Sequence, residues 1–164
     1  MSATVLTEHS ADTLFREHSG DVLTYVRCLV GNSEDAADLT QDAFARAFVA
    51  LRNGHTTDSN VRGWLFRIAR NVALDHLRRQ KILGLFVRYD QAETIASSND
   101  RAAAIATWAV VDQLPPLWRE AVVLRYRWRF TPAEIAKLQG KSDGAVRAEL
   151  SRALARLARD LGKD

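Results

Sequence analysis

Three groups of residues in this sequence have the types and spacing to act on charged polymers, and none has the parts of an enzyme centre. Between Asn60 and Lys81 stand Arg62, Arg67, Arg70, Arg78, Arg79 and Lys81 against a single acid, Asp75. At about 100° per residue, Arg67, Asn71 and Arg78 fall in one narrow helical sector, flanked by Arg70 and Leu74, with Trp64 at its edge. Guanidinium groups bind phosphates, an indole offers a face on which an unpaired base stacks, and an amide bonds to base edges. That combination suits single-stranded or distorted DNA. Leu65, Ile68, Val72 and His76 form the expected buried side, His76 as a core histidine rather than a metal ligand. Trp64 taken alone fits the core as well as it fits a stacking surface.

The second group is acidic. Glu34, Asp35, Asp38, Gln41 and Asp42 share one helical face, and Phe44, Phe48 and Leu51 fall opposite. The acids are either a solvated face or a docking surface for a basic partner. From Met1 to Ala45 eight acids oppose only Arg16 and Arg27, so the two ends of the N-terminal half have opposite sign. The third group lies in Thr131 to Leu161, a short capped helix, a tight turn at Gly140 and a longer helix. This is helix-turn-helix geometry. Val146, Leu150, Leu154 and Leu157 are expected to face inward. Glu149, Arg152, Arg156 and Arg159 are expected to face outward, with Arg147 on the margin.

The elements that position these groups are all helical. Few Gly and Pro, with abundant Ala, Leu and Arg, favour helices over strands. A first helix runs from Asp12 to Val30, with Phe15, Val22, Val26 and Leu29 on one stripe, and stops at Gly31-Asn32. Ser33 is expected to cap a second helix that reaches about Arg52, and a third runs from about Asn60 to Ile82. Helical periodicity is lost from Gly84 to Asp100, where Ser97-Ser98-Asn99-Asp100 reads as a linker. The Leu85-Phe86-Val87 cluster inside it is unusual for a free tether. A further helix spans about Arg101 to Gln113, and Pro116 opens another that reaches about Trp128. Thr131-Pro132-Ala133-Glu134 is a capping box, and Ser142 caps the last helix.

The expected fold is therefore all-α: two small helical domains, 1–83 and 101–164, joined by a linker over 84–100, the C-terminal one containing the helix-turn-helix. No Gly-rich phosphate loop, nucleophile elbow or Cys/His cluster at ligand spacing is present, so no enzyme activity, metal or cofactor is expected. The single cysteine, Cys28, forms no internal disulfide and reads as a small core residue. No signal peptide is visible, and the longest uncharged apolar stretch, Ala102 to Val111, is about half of what a bilayer crossing needs. No membrane insertion is expected, and the cytoplasm is the expected compartment.

Asp35-Ala36-Ala37-Asp38-Leu39-Thr40-Gln41-Asp42-Ala43-Phe44 resembles the segment by which extracytoplasmic-function (ECF) sigma factors grip the clamp helices of RNA polymerase. Asn60 to Asn71, followed by Asp75, Leu77, Arg78 and Arg79, resembles the family's segment for opening and reading the −10 promoter element. Leu114-Pro115, Glu134-Ile135-Ala136, and then Ser142, Gly144, Val146 and Arg152-Ala153 resemble its −35 domain. The resemblance runs from about Leu14 to Leu161. It implies a sigma factor whose partners are core RNA polymerase (the β′ clamp and the β subunit), promoter DNA and a cognate anti-sigma factor. It implies polymerase contacts at Asp38, Gln41 and Asp42, and −10 contacts at Arg62, Trp64, Arg67, Asn71 and Arg78. It also implies −35 contacts at Ser142, Arg147, Arg152 and Arg156.

Two departures stand out on the last helix. Glu149 and Leu154 occupy positions where the family usually carries basic residues, and Ala145 replaces a usual Thr. Upstream binding is thus expected to be weaker or shifted in preference, and Glu149 joins the −35 set in one of three ways: accepting from a cytosine amino group, orienting Arg152 through an i,i+3 ion pair, or standing idle in solvent. The competing reading is a helix-turn-helix regulator with an N-terminal helical sensor or dimerisation domain. It leaves the acidic helix and the Asn60 to Arg79 pattern without a role.

Overall fold

The computed structural model describes residues 2–55, 60–82 and 109–162, apart from the side chains of 2–10 and 82. All regular structure among the described residues is helical. The chain divides into two compact units, Met1–Ala92 and Glu93–Asp164. The expected linker over 84–100, with its Leu85-Phe86-Val87 cluster, lies outside the described residues. So does most of the helix expected from Arg101, of which 109–112 are helical in the described part.

In the first unit α1 (Ser2–Val30), α2 (Ser33–Arg52) and α3 (Val61–Ile82) each pack on the other two. The core takes Val22, Tyr25 and Val26 from α1, Ala36, Ala43, Phe44 and Ala47 from α2, and Leu65, Phe66, Ala69, Val72 and Ala73 from α3. Alanines on the facing sides let the helices approach, and two large rings fill what remains: Tyr25 stacks on Phe66 with centroids 5.0 Å apart.

The expected α1 stripe is corrected at both ends. Val22 is fully buried, but Phe15 is 44% exposed and touches Phe44 only edge-on, and Leu29 is half-buried. Angle is not the cause: at about 100° per residue both Phe15 and Leu29 lie within about 20° of Val22, on the same arc that buries Tyr25 and Val26. Likewise on α3, Phe66 is fully buried, while Ile68 and His76 are half-buried. Cys28 is half-buried too.

Two asparagines start the functional helices. Gly31, in the left-handed region at φ 74°, ends α1. Asn32, not Ser33, caps α2: its extended backbone brings Oδ1 within 2.8 Å of the Glu34 N–H and 3.3 Å of the Asp35 N–H. Ser33 is already the first helical residue. Asn60 caps α3 by accepting the Gly63 N–H at 2.9 Å. A Cβ at position 63 would come within 2.9 Å of the Asn60 side chain, so glycine is what lets this cap close beside Trp64.

In the second unit α4 (Pro116–Tyr126), α5 (Pro132–Gln139) and α6 (Asp143–Leu161) enclose Ala121, Val122, Leu124, Phe130, Ile135, Val146, Leu150, Ala153 and Leu157. α4 ends two residues before the expected Trp128, which is buried in the following turn beside Arg129 at φ 57°. Both halves of the capping box are made: Thr131 Oγ1 accepts the Glu134 N–H, and Glu134 Oε2 accepts the Thr131 N–H at 2.7 Å. Gly140 takes the left-handed conformation at φ 64° that the tight turn requires. Ser142 Oγ then caps α6 by accepting the Ala145 N–H at 3.2 Å.

The stripe that α6 buries is Val146, Leu150, Ala153 and Leu157; Leu154, expected inside, is 42% exposed. It sits about 70° from the centre of that stripe. One buried polar link fixes α5 to α4, where Gln139 Nε2 donates to Glu120 Oε2 at 3.1 Å with both residues under 10% exposed. Glu120→Ala would strip a buried amide of this acceptor and is expected to cost about 1–3 kcal/mol in urea unfolding. A loss within error would mean that water replaces the carboxylate.

Candidate polymerase and DNA interfaces

The acidic face of α2 is open at its centre and tied down at one edge. Glu34, Asp38 and Gln41 are exposed. Asp42 is half-buried and pairs with Arg46 one turn on, at 3.2 Å. Asp35 instead leans toward α3, its Oδ2 lying 3.4 Å from His76 Nε2 without hydrogen-bonding to it. Phe44 is buried and Phe48 and Leu51 half-buried on the other side, so the expected polarity of the helix holds. One feature escaped sequence reasoning. Ala45 and Val49 continue the line of Asp38 and Asp42 at helical spacing and are exposed, Val49 by 56%. With Arg46, Ala50, Asn53 and His55 they line an open, mostly apolar groove. An acidic stripe that runs into exposed apolar surface fits a protein contact better than a merely solvated face.

On α3 the structure brings together four of the five residues expected to meet opened DNA. Arg67, Asn71 and Arg78 are exposed on one side, and Trp64 is half-buried at its border. Arg62 is not among them: it is half-buried and lies about 140° round the helix from Arg67. Arg78 pairs with Asp75 at 3.1 Å, and Arg78 is 72% exposed, so the pair is weak and a phosphate can replace the carboxylate.

In the second unit the Ser142 cap, Arg147 and Arg152 are exposed at the start and along the outer side of α6. Among the described residues neither arginine forms an ion pair. Arg156 is half-buried and pairs with Asp160 at 3.6 Å. Glu149, expected to point outward with the arginines, does not. Its side chain is only 16% exposed and its Oε1 lies 2.6 Å from Lys141 Nζ, in the turn before α6. The cause is that Glu149 stands on the flank of α6 nearest the preceding turn, within reach of Lys141. Among the described residues no group of metal-ligating side chains comes together and no helix is long and apolar enough to cross a membrane.

The described residues thus form two helical units, the first with acidic and basic faces and the second a capped helix-turn-helix. The sequence matches Sigma-70 region 2 over residues 14–82 and Sigma-70 region 4 over 105–157. It is 34% identical over 154 residues to the ECF RNA polymerase sigma factor SigM of Mycobacterium tuberculosis, covering 94% of this chain and 78% of that one. Among solved structures, CnrH in complex with the cytosolic domain of CnrY is 26% identical with a TM-score of 0.66, covering 99% of this chain and 96% of that one. The sigma factor RpoE of Bartonella quintana, solved with the anti-sigma factor NepR, shares the fold at a TM-score of 0.77 and 23% identity, covering 93% and 97%.

The chain belongs to the ECF family of RNA polymerase sigma factors. It is a non-catalytic initiation factor that binds core RNA polymerase and directs it to promoters. A helix-turn-helix regulator with an N-terminal sensor domain would not match region 2 across α1 to α3.

Proposed function

We propose that the surfaces divide initiation between them. The unit over 1–83 docks by Asp38, Gln41 and Asp42 on the β′ clamp, with the Ala45–Val49 strip as apolar footing, and holds the −10 element on α3. The unit over 101–164 reads the −35 element with α6, through the Ser142 end of the helix, Arg147, Arg152 and Arg156. The segment 84–100 links them. The observation that carries this reading is the exposed face of Arg67, Asn71 and Arg78 with an indole at its border. Cations and an amide would hold the strand, and the indole would stack an unpaired base. Arg62, set apart from that face, fits a flanking phosphate rather than a base.

A cytoplasmic location and control by an anti-sigma factor complete the proposal. The second rests on the family resemblance and on exposed apolar side chains, Leu117, Tyr126 and Leu154, in the second unit. The test is transcription by core RNA polymerase on a library of genomic fragments, with and without this chain. Discrete new start sites that share two sequence elements are expected, and they should vanish with the chain. Starts that need a second sigma subunit would instead make it an accessory regulator.

A further inference from the structure

The Lys141–Glu149 pair is built unlike the ion pairs of Asp12 with Arg16, Asp42 with Arg46, Asp75 with Arg78 and Arg156 with Asp160. Those are local, three or four residues apart on single helices. This one joins residues eight apart, from α6 back to the turn of the helix-turn-helix, and both side chains are largely covered, at 22% and 16% exposure. Glu149 Oε2 is buried and has no hydrogen-bond partner, so the carboxylate is held by Lys141 through its other oxygen. The backbone on the lysine side is fixed as well, for the Lys141 N–H donates to the Ala136 carbonyl at 2.9 Å. An uncompensated carboxylate here would be costly, and Lys141 neutralises it.

Lys141 immediately precedes the Ser142 cap, at the end of α6 where free N–H groups and the helix dipole attract phosphate. A free lysine there would be a strong anchor to the DNA backbone, blind to sequence. We infer that Glu149 is a positioning residue that withholds Lys141 from the phosphate backbone and leaves Arg147, Arg152 and Arg156 as the cations that meet DNA. The weakened −35 binding expected where a carboxylate replaces a basic residue then comes from a lysine held back, not from a base read by Glu149. This inference rests on the reading of α6 as the −35 helix.

The test uses holoenzyme assembled from core RNA polymerase and the full chain. It measures binding to an upstream duplex selected from a random pool by the wild type, and to a scrambled duplex, across a salt series. Glu149→Gln keeps the shape and removes the charge. It is expected to tighten both duplexes alike, with unchanged base preference. Its log K against log salt should steepen by about 0.9, so the affinity loss between about 50 and 200 mM salt grows roughly threefold. The double variant Lys141→Gln/Glu149→Gln is expected to return to the wild-type slope. If the double variant stays as steep as Glu149→Gln, the added phosphate contact is not made by Lys141 and the inference is overturned. Lost preference at one base pair with an unchanged slope would overturn it in favour of base readout. Uniform weakening with a lowered melting temperature would reduce the pair to a structural brace. If the wild-type holoenzyme selects no upstream duplex at all, the −35 reading fails and the inference with it.

Discussion

A chain carrying Asp38→Lys and Asp42→Lys is expected to bind core RNA polymerase at least tenfold more weakly than the wild type while keeping its helicity. Asp38 is exposed, and Asp42 is half-buried with its carboxylate on Arg46, so neither supports the core of the first unit. The Asp42–Arg46 pair is a surface pair one turn apart, and losing it costs a few tenths of a kcal/mol of helix stability. Placing two ammonium groups against a basic surface costs far more, several kcal/mol for like charges brought into contact, and each factor of ten in affinity is about 1.4 kcal/mol. Wild-type affinity should fall with added salt, and the variant should show a flatter dependence. Titration of labelled core enzyme at two salt concentrations reads both quantities. Equal affinity for variant and wild type would make the acidic stripe a solvated face and leave the exposed Ala45–Val49 strip to carry any contact made by α2.

What the sequence made legible follows from what helical periodicity can encode. A stripe on one helix is a local property, so residue spacing alone places the acidic and apolar sides of α2 and the exposed Arg67, Asn71 and Arg78. The capping box at Thr131 and the cap at Ser142 were equally legible, since each depends on residues three apart. Contacts between elements were not. Tyr25 and Phe66, which stack at the centre of the first unit, carry no sign in their own helices that they face each other. Asp35 belongs to the acidic face by angle, yet it lies half-buried against His76 of α3. Glu149 is the sharpest case. Its angle on α6 sets it near the arginines, but Lys141 lies in the turn before the helix, where the angular count does not apply. The α2 cap fell one residue from the expected Ser33 because Asn32 and Ser33 are both good caps. Only the backbone conformation chooses between them, with Asn32 extended at φ −123° and ψ 128°.

Replacing the indole or the amide on α3 is expected to stall promoter opening while leaving the first, closed encounter nearly intact. Trp64 sits at the border of the exposed face, one residue past the Asn60–Gly63 cap that fixes the first turn of α3. A half-buried indole placed there can pack its inner edge on the bundle and offer its outer face to a base. Stacking on an aromatic ring is worth about 1–3 kcal/mol per base, so Trp64→Ala should lower the population of open complexes roughly 5- to 150-fold. Asn71 is fully on the outer side, and Asn71→Ala removes only an amide able to bond to a base edge, so a smaller loss, about 1 kcal/mol or roughly fivefold, is expected. Neither change touches the cations Arg67 and Arg78, and closed binding, which depends on phosphates, should keep its affinity and its salt dependence. Permanganate reactivity of promoter thymines reports opening, and a gel shift on fully paired duplex reports the closed step. Because truncating a half-buried tryptophan can loosen the bundle, Trp64→Phe serves as the second variant. It keeps an apolar ring in the core and a smaller stacking face, and should fall between wild type and alanine in opening at an unchanged melting temperature. Normal opening by Trp64→Ala and Asn71→Ala together, in chains that still melt cooperatively, would assign the indole to the core and leave α3 a surface that grips phosphates alone.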